Sequence, residues 1–204
     1  MIFTKLYLPK VDEQVVHRSG LFETLRSGLN KKVILVSATA GYGKSTLISD
    51  WINQHKITAA WCSIDNKDND PCLFLKLIIS SVNRQETSVG KASLDLLQNP
   101  GAVSAEYLLE LFINDLLSLE KEIVLVLDDL HLIENSQVFE MLSTFIEYKP
   151  DPVKLILSTR SDPPLPFARM RSQNKILEIR SNELSFTRDD IAYLFNKKLK
   201  LGLK

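Results

Sequence analysis

A glycine-containing segment at residues 38–45 has the residue types of a phosphate-binding loop. It reads ATAGYGKS, which has the spacing G-x-x-x-x-G-K-[ST] with Ala38 in place of the first glycine. Gly41 and Gly43 let the backbone curl so that successive N–H groups face one anion. Lys44 can reach the β- and γ-phosphates of a nucleotide, and the hydroxyl of Ser45 can ligate Mg²⁺. A chance glycine-rich turn is the alternative interpretation.

The surroundings of this segment favour the phosphate-binding interpretation. An apolar, β-branched run at residues 33–36 leads into it, and a helix with inward-facing apolar residues is predicted from residue 44 to about 54. The dipole of that helix favours negative charge at its N-terminus. We therefore predict a site for ATP or ADP with Mg²⁺, whose phosphates contact Ala40, Gly41, Tyr42, Gly43, Lys44, Ser45 and Thr46.

Two adjacent carboxylates follow the apolar strand predicted at residues 123–127. Asp128 is expected to hold Mg²⁺ through water, as the Walker-B acid does, and Asp129 to orient or deprotonate the attacking water. Ligands of open α/β sheets bind at the carboxyl ends of the strands, where these residues stand. A solvated turn or a helix cap is the alternative. His131, close behind, either lines the site or has a structural role.

A cation follows the strand predicted at residues 153–157. If this strand lies between the first and the third, Arg160 stands beside the γ-phosphate and can stabilise its charge. We therefore assign catalytic roles to Lys44, Asp129 and Arg160. A surface arginine before the Pro163-Pro164 turn is the alternative for Arg160.

Predicted strands and helices alternate along the chain, and they must position these residues. Further strands are predicted at residues 59–64 and 176–179, and helices at 21–27, from 71, from 104 to about 119, around 138–146 and from 187. The polar residues 84–103 are interpreted as a mobile loop. This order predicts an α/β P-loop NTPase fold, a three-layer sandwich with a parallel five-stranded sheet of order 5-1-4-3-2. We assign residues 1–183 to this domain and 184–204 to the start of a following helical region.

Composition excludes several functions. The 25 basic and 25 acidic residues balance, whereas a nucleic-acid binder usually has a basic surplus. The N-terminus lacks the apolar run of a secretory signal, and no apolar stretch approaches 18 residues. We therefore expect a cytoplasmic protein with no membrane partner.

Several linked motifs resemble the ATPase domain of MalT-type large LuxR-family regulators, within the STAND class of signal-transduction NTPases. Matching stretches cover most of residues 4–195 and read TKLYLP, VVHRSGLFETL, SATAGYGKSTLISDW, WCSIDNKDNDPCLFLKLIISSV, VLVLDDLHLI, STRSDPPLPFARMR and LSFTRDDIAYLF. The resemblance implies a switch that rests with ADP bound and self-associates with ATP and an inducer. It also implies that Val16 and Arg18, upstream of the loop, contact the adenine.

Proteins of that family are longer, and they bind DNA through a helix-turn-helix domain that is not among these residues. We therefore expect this chain to represent their NTPase part. A slow regulatory ATPase is the favoured function. A module that holds nucleotide without useful hydrolysis is the alternative, because Asp129 is shorter than a glutamate. A P-loop small-molecule kinase, with Arg160, Arg169, Arg171 and Arg180 over the phosphates, is a third hypothesis.

Overall fold

A single parallel sheet organises the chain in the computed structural model, which describes residues 2–12, 15–98 and 103–193. Its five strands lie in the order β2-β3-β4-β1-β5. Read from the β5 edge, this is the order 5-1-4-3-2, and the predicted strand order is therefore confirmed. The strands are β1 (Val33–Ser37), β2 (Ala59–Ser63), β3 (Ile123–Asp128), β4 (Val153–Thr159) and β5 (Ile176–Ile179).

Helices cover both faces of the sheet. They are α1 (Ser19–Gly28), α2 (Lys44–His55), α3 (Pro71–Gln85), α4 (Lys91–Leu96), α5 (Ala105–Leu116), α6 (Ser136–Tyr148), α7 (Phe167–Ser172), α8 (Ser181–Leu184) and α9 (Arg188–Tyr193). Three 3-10 helices span Phe3–Leu6, Asn66–Asn69 and Leu130–Leu132. Among the described residues, no helix combines the length and the hydropathy needed to cross a bilayer.

Side chains of β1 alternate between two cores, as the period of a strand requires. Ile34 and Val36 pack with the apolar residues of α1 and α2, whereas Val33 and Leu35 pack with those of α3, α5 and α6. All five residues of β1 are buried, because the strand is covered on both faces. The predicted three-layer sandwich is therefore confirmed.

The strand register brings four carboxyl ends to one edge of the sheet. Ser37 at the end of β1 is level with Thr159 of β4, and Ser63 of β2 is level with Asp128 of β3. Since β4 lies between β1 and β3, the loops after β1, β3 and β4 converge at this edge.

The prediction of a mobile loop over residues 84–103 was wrong for most of the segment that the structure describes. The helix α3 continues to Gln85, and α4 forms from Lys91 after Gly90, which has a φ of 77°. A Cβ at Gly90 would lie 2.5 Å from the Ile79 side chain, so glycine permits a close approach to α3. Buried Val89 and the apolar side of α4 complete the core here.

The C-terminal part contains two helices that the sequence pattern did not predict, α7 and α8, followed by α9. The expected contributions of Leu194 and Phe195 to the last helix lie outside the described residues. The domain boundary assigned at residue 183 falls inside α8, whose Leu184 is buried in the core beside α1 and α2. That boundary stays a prediction.

Candidate functional site

Glycines set the shape of the loop between β1 and α2. Gly41 and Gly43 have φ values of 87° and 72°, in the left-handed region that other residues rarely adopt. A Cβ at either position would meet no atom within 4 Å, so the requirement is one of backbone conformation rather than space. Gly43 is the N-cap of α2, and its carbonyl accepts from the Leu47 N–H at 2.8 Å. The loop therefore ends at a helix N-terminus, as anion binding requires.

The ammonium group of Lys44 lies inside the curve of this loop. It donates to the carbonyl oxygens of Ala38 at 2.7 Å and Thr39 at 3.2 Å, and the residue is 7% exposed. Burial lowers the pKa of Lys44, while the charges of Asp128 and Asp129 oppose this shift and that of Arg160 adds to it. The ammonium group of Lys44 thus donates to two carbonyl oxygens, and phosphate oxygens can replace them as acceptors.

The two residues predicted to hold Mg²⁺ lie in contact. The hydroxyl of Ser45, in the first turn of α2, donates to Asp128 Oδ1 at 3.0 Å. Asp128 ends β3 and is 4% exposed, and burial raises the pKa of its carboxyl group. A hydroxyl and a carboxylate beside a phosphate loop are the hard oxygen ligands that Mg²⁺ prefers.

No other metal site competes with this pair in the part of the chain that the structure describes, where no group of three or more His, Cys, Asp or Glu is arranged to hold an ion. Mg²⁺ is characteristically bound by one or two protein groups together with substrate phosphates and water. Ser45 and Asp128 therefore fit a Mg²⁺ ion that arrives with a nucleotide.

Asp129 turns the chain sharply after β3. Its backbone lies in the left-handed region, with φ 59° and ψ 35°, and its carboxylate is 44% exposed. Such strain at a non-glycine residue is concentrated at functional sites. Arg160 follows β4 and is exposed, and its charge is felt at Lys44 and at His131. The structure thus brings all three predicted catalytic residues to the same sheet edge.

A cavity of about 220 Å³ opens beside the phosphate loop. It contains the two residues expected to contact adenine, Val16 and Arg18, together with Tyr42 and Thr46 of the predicted phosphate site. Ala40 is an exposed residue of the loop and does not line this cavity. The cavity therefore adjoins the phosphate loop.

The guanidinium of Arg18 binds the C-terminal part of the chain. It donates to the carbonyl oxygens of Glu183 at 3.0 Å and Ser185 at 2.8 Å, and it also donates to that of Leu184. It lies over the ring of Phe186, 5.4 Å from the centroid. One wall of the cavity is therefore built by a segment remote in sequence.

Four residues that line this cavity were not among the predicted site residues, namely Val15, Leu47, Asp50 and Phe186. Asp50 is buried and lies one helical turn after Thr46, a spacing that places both on one face of α2. Its Oδ2 is 2.8 Å from Nδ1 of His17. Helical periodicity could have identified Asp50, whereas no local pattern connects Phe186 to residues 15–18.

Two other arginines of the proposed kinase cluster form ion pairs with carboxylates. Arg171 binds Glu178, and Arg180 binds both Glu178 and Asp162. These ion pairs hold the loop after β4 against β5. Arg180 also lines a cavity together with Arg160 and with Ala38 and Thr39, at the start of the phosphate loop.

Comparison with known families gives one match that spans more than half of the chain. The family model described as "AAA domain" matches residues 26–162. Because this range runs from the end of α1 to the loop after β4, it includes the phosphate loop, Asp128, Asp129 and Arg160.

Curated relatives resemble the chain along nearly all of its length. The HTH-type transcriptional regulator MalT of Cronobacter sakazakii is 33% identical over 201 residues, and that of Klebsiella pneumoniae is 30% identical over 199. Each alignment covers 98% of this chain and 22% of the relative. The serine/threonine-protein kinase PknK of Mycobacterium tuberculosis is 30% identical, over 93% of this chain and 18% of that protein. These matches confirm the predicted resemblance to MalT-type regulators.

Solved structures share the fold at low sequence identity. Cdc6p from Pyrobaculum aerophilum has a TM-score of 0.60 at 18% identity and covers 100% of this chain and 55% of its own. A Walker-type ATPase of Pyrococcus abyssi has a TM-score of 0.59 at 16% identity, with 100% and 63% covered.

Proposed function

The chain belongs to the AAA domain family, and we propose that it is the ATP/ADP-binding switch domain of a transcriptional regulator. One observation carries the proposal. The hydroxyl of Ser45 lies 3.0 Å from Asp128 Oδ1, at the mouth of a loop whose two glycines are left-handed. This is the arrangement that the phosphates and Mg²⁺ of a nucleotide need.

Nucleotide binding would change the hydrogen-bond partners of Lys44. The ammonium group of Lys44 would leave the carbonyls of Ala38 and Thr39 and turn to the β- and γ-phosphates, while N–H groups of the loop hold the same oxygens. Ser45 and Asp128 would hold Mg²⁺, which supplies neutralisation of the phosphate charge. The adenine and ribose would enter the cavity lined by Val16, Arg18 and Thr46.

Hydrolysis would use the residues beside the γ-phosphate. Asp129 follows the buried acid and is exposed, so its carboxylate can orient a water molecule. Arg160, at the end of the strand next to β1, would stabilise charge on the transferred phosphoryl group. A single short carboxylate on a strained backbone supports slow turnover, which suits a protein that uses the nucleotide as a signal.

The base cavity offers a route from the nucleotide to the rest of a regulator. Arg18 lines the cavity and binds three consecutive carbonyl oxygens at residues 183–185. A base that displaced Arg18 or Phe186 would change how this segment is held. Such a differential contact is what a switch requires, because a ligand shifts an equilibrium only by its preference for one state.

The same geometry leaves a second candidate function, a module that holds nucleotide without useful hydrolysis. The observation that favours it is the 44% exposure of the Asp129 carboxylate, because an exposed carboxylate is held less firmly toward a γ-phosphate. In both cases we place the protein in the cytoplasm. Self-association and DNA binding are proposed for a longer protein of the MalT type, the latter through its helix-turn-helix domain.

Single-turnover hydrolysis separates the two candidates. With the chain in excess over γ-labelled ATP and Mg²⁺, a switch with slow hydrolysis releases labelled phosphate at a rate that Asp129→Asn abolishes. The holding module retains intact ATP over the same period. Release at an equal rate by Lys44→Ala would assign the activity to a contaminant and remove the proposed hydrolysis.

A further inference from the structure

Ser158 carries a buried hydroxyl that has no role in the site described so far. It is the last residue but one of β4, and its side chain is completely buried. Its Oγ is shielded from solvent and has no hydrogen-bond partner in the described part of the chain. A buried polar group without a partner loses its hydration and gains nothing in return. Such an exception beside a functional site therefore calls for an explanation.

The register of the sheet places Ser158 beside Asp128. The residues just before them, Leu127 and Leu157, pair across β3 and β4, so Asp128 and Ser158 are level. Both side chains project to the sheet face that α2 covers, because the residue two positions before each belongs to the core on that face. Ser158 therefore flanks the carboxylate that we assign to Mg²⁺.

Two hydroxyls thus approach this carboxylate from different elements. From α2, Ser45 donates to Asp128 Oδ1 at 3.0 Å. Burial raises the pKa of Asp128, and the hydroxyls of Ser158 and Ser45 oppose this rise, in that order. The Ser158 hydroxyl therefore lies close to the carboxylate, although the two groups do not have the geometry of a hydrogen bond.

A second donor matters because the carboxylate of an aspartate turns easily. The χ2 torsion of Asp is broad, so one hydrogen bond to one oxygen does not fix the plane of the group. A carboxylate that holds a metal ion is itself held by hydrogen bonds in most sites. Its two oxygens accept about four hydrogen bonds in all. Ser158 can therefore donate to Asp128 without displacing Ser45 or a water molecule on the ion.

We propose that Ser158 is a positioning residue, whose hydroxyl donates to the Asp128 carboxylate when nucleotide and Mg²⁺ bind and so fixes the direction in which Asp128 holds the ion. This inference rests on the proposed function and deepens it. Ser158 contacts neither the nucleotide nor the ion in this arrangement. Its loss therefore weakens the part of nucleotide binding that depends on Mg²⁺ and leaves the remaining part unchanged.

Calorimetric titration of the 204-residue chain with ADP, once with Mg²⁺ and once with EDTA, tests this role. The ratio of the two Kd values is the enhancement of binding by Mg²⁺. We expect Ser158→Ala to reduce this enhancement about 10-fold, the lower end of the cost of losing a group that orients a metal ligand. Binding in EDTA should stay within about twofold. Cysteine has nearly the size of serine but is a weak donor, so Ser158→Cys should lose most of the enhancement as well.

A double-mutant cycle shows whether Ser158 acts through Asp128. In an Asp128→Asn background, Ser158→Ala should lower the enhancement by less than about twofold, because two residues that act as one unit are not additive. The control is Ser93→Ala, which removes an equally buried hydroxyl without a partner from α4. It should behave as the unsubstituted chain.

Three results would overturn the proposal. They are full enhancement in a Ser158→Ala variant with an unchanged melting temperature, an equal loss of ADP affinity with Mg²⁺ and with EDTA, and losses that add in the double variant. Each of these would leave the proposed function standing if Mg²⁺ strengthened ADP binding to the unsubstituted chain. If that chain bound no ADP with Mg²⁺, the proposed function would fail and this inference with it.

Discussion

Replacing Lys44 by methionine isolates the contribution of one ammonium group to nucleotide binding. In the absence of nucleotide, Nζ donates to two carbonyl oxygens, at 2.7 Å and 3.2 Å. A phosphate oxygen at ~3 Å would attract the ammonium by about 5 kcal/mol at an effective dielectric constant of about 20. Lys44 gives up two hydrogen bonds of about 1–1.5 kcal/mol each when it turns to the phosphate. The net contribution of its ammonium group to the free energy of binding is therefore roughly 2–3 kcal/mol. We therefore expect Lys44→Met to raise the Kd for Mg²⁺·ADP by about 30- to 150-fold.

Lys149→Met is a matched control for this experiment. Lys149 is also a buried lysine, 4% exposed, and its ammonium donates to the Val153 carbonyl. It lies just before β4, at the amino ends of the strands and about 20 Å from the phosphate loop. Titration calorimetry should show an unchanged Kd for Lys149→Met. Wild-type affinity in a folded Lys44→Met variant, or an equal loss in both variants, would refute the assignment of Lys44 to the phosphates.

Two further substitutions and one pH dependence test other parts of the site and of the fold. Asp129→Asn should keep ATP affinity within about threefold and slow single-turnover hydrolysis about 100-fold or more; an unchanged rate would move the water-orienting role elsewhere. Loss of a residue that merely orients a metal ligand costs about 10- to 100-fold in metal affinity. Ser45→Ala should therefore raise the Mg²⁺ concentration needed for tight ADP binding at least tenfold in a Mg²⁺ titration, and no change would exclude Ser45 as a ligand. The third test uses pH. Burial lowers the pKa of Lys149 from 10.5 to about 8. Between pH 8 and pH 10.5 the unfolded chain therefore binds more protons than the folded chain. The free energy of unfolding rises with pH across this range, by up to about 3 kcal/mol. Denaturant unfolding at pH 7 and pH 10 should show this rise, and Lys149→Met should lack it; an equal rise in the variant would contradict the pKa assignment.

Local patterns were sufficient to predict the sheet and the phosphate loop. Each strand is a short apolar run, and a parallel sheet covered on both faces requires such runs. Alternation with helices then restricts the topology to few choices. Because strand order determines which loops converge, Lys44, Asp128 and Arg160 could be assigned to one edge before any coordinates were known.

Features that depend on tertiary contact were not predictable in the same way. The helix α4 is only six residues long and is stabilised by packing on α3 and α5 rather than by its own pattern. Contacts of Arg18 with residues 183–186 join segments separated by more than 160 positions. No local propensity encodes such a contact. His131, two residues after Asp129, has a side chain that is 12% exposed, and neither of its ring nitrogens has a hydrogen-bond partner among the described residues. Its position in the sequence does not indicate this.

Calorimetric titration of the unsubstituted chain with Mg²⁺·ADP, and separately with the Mg²⁺ complex of the β,γ-imido analogue of ATP, tests the nucleotide site most directly. The account predicts one binding site per chain for each ligand, with binding that weakens when Mg²⁺ is chelated. Absence of heat with both ligands, for a chain that melts cooperatively, would contradict the assignment of this loop to nucleotide binding.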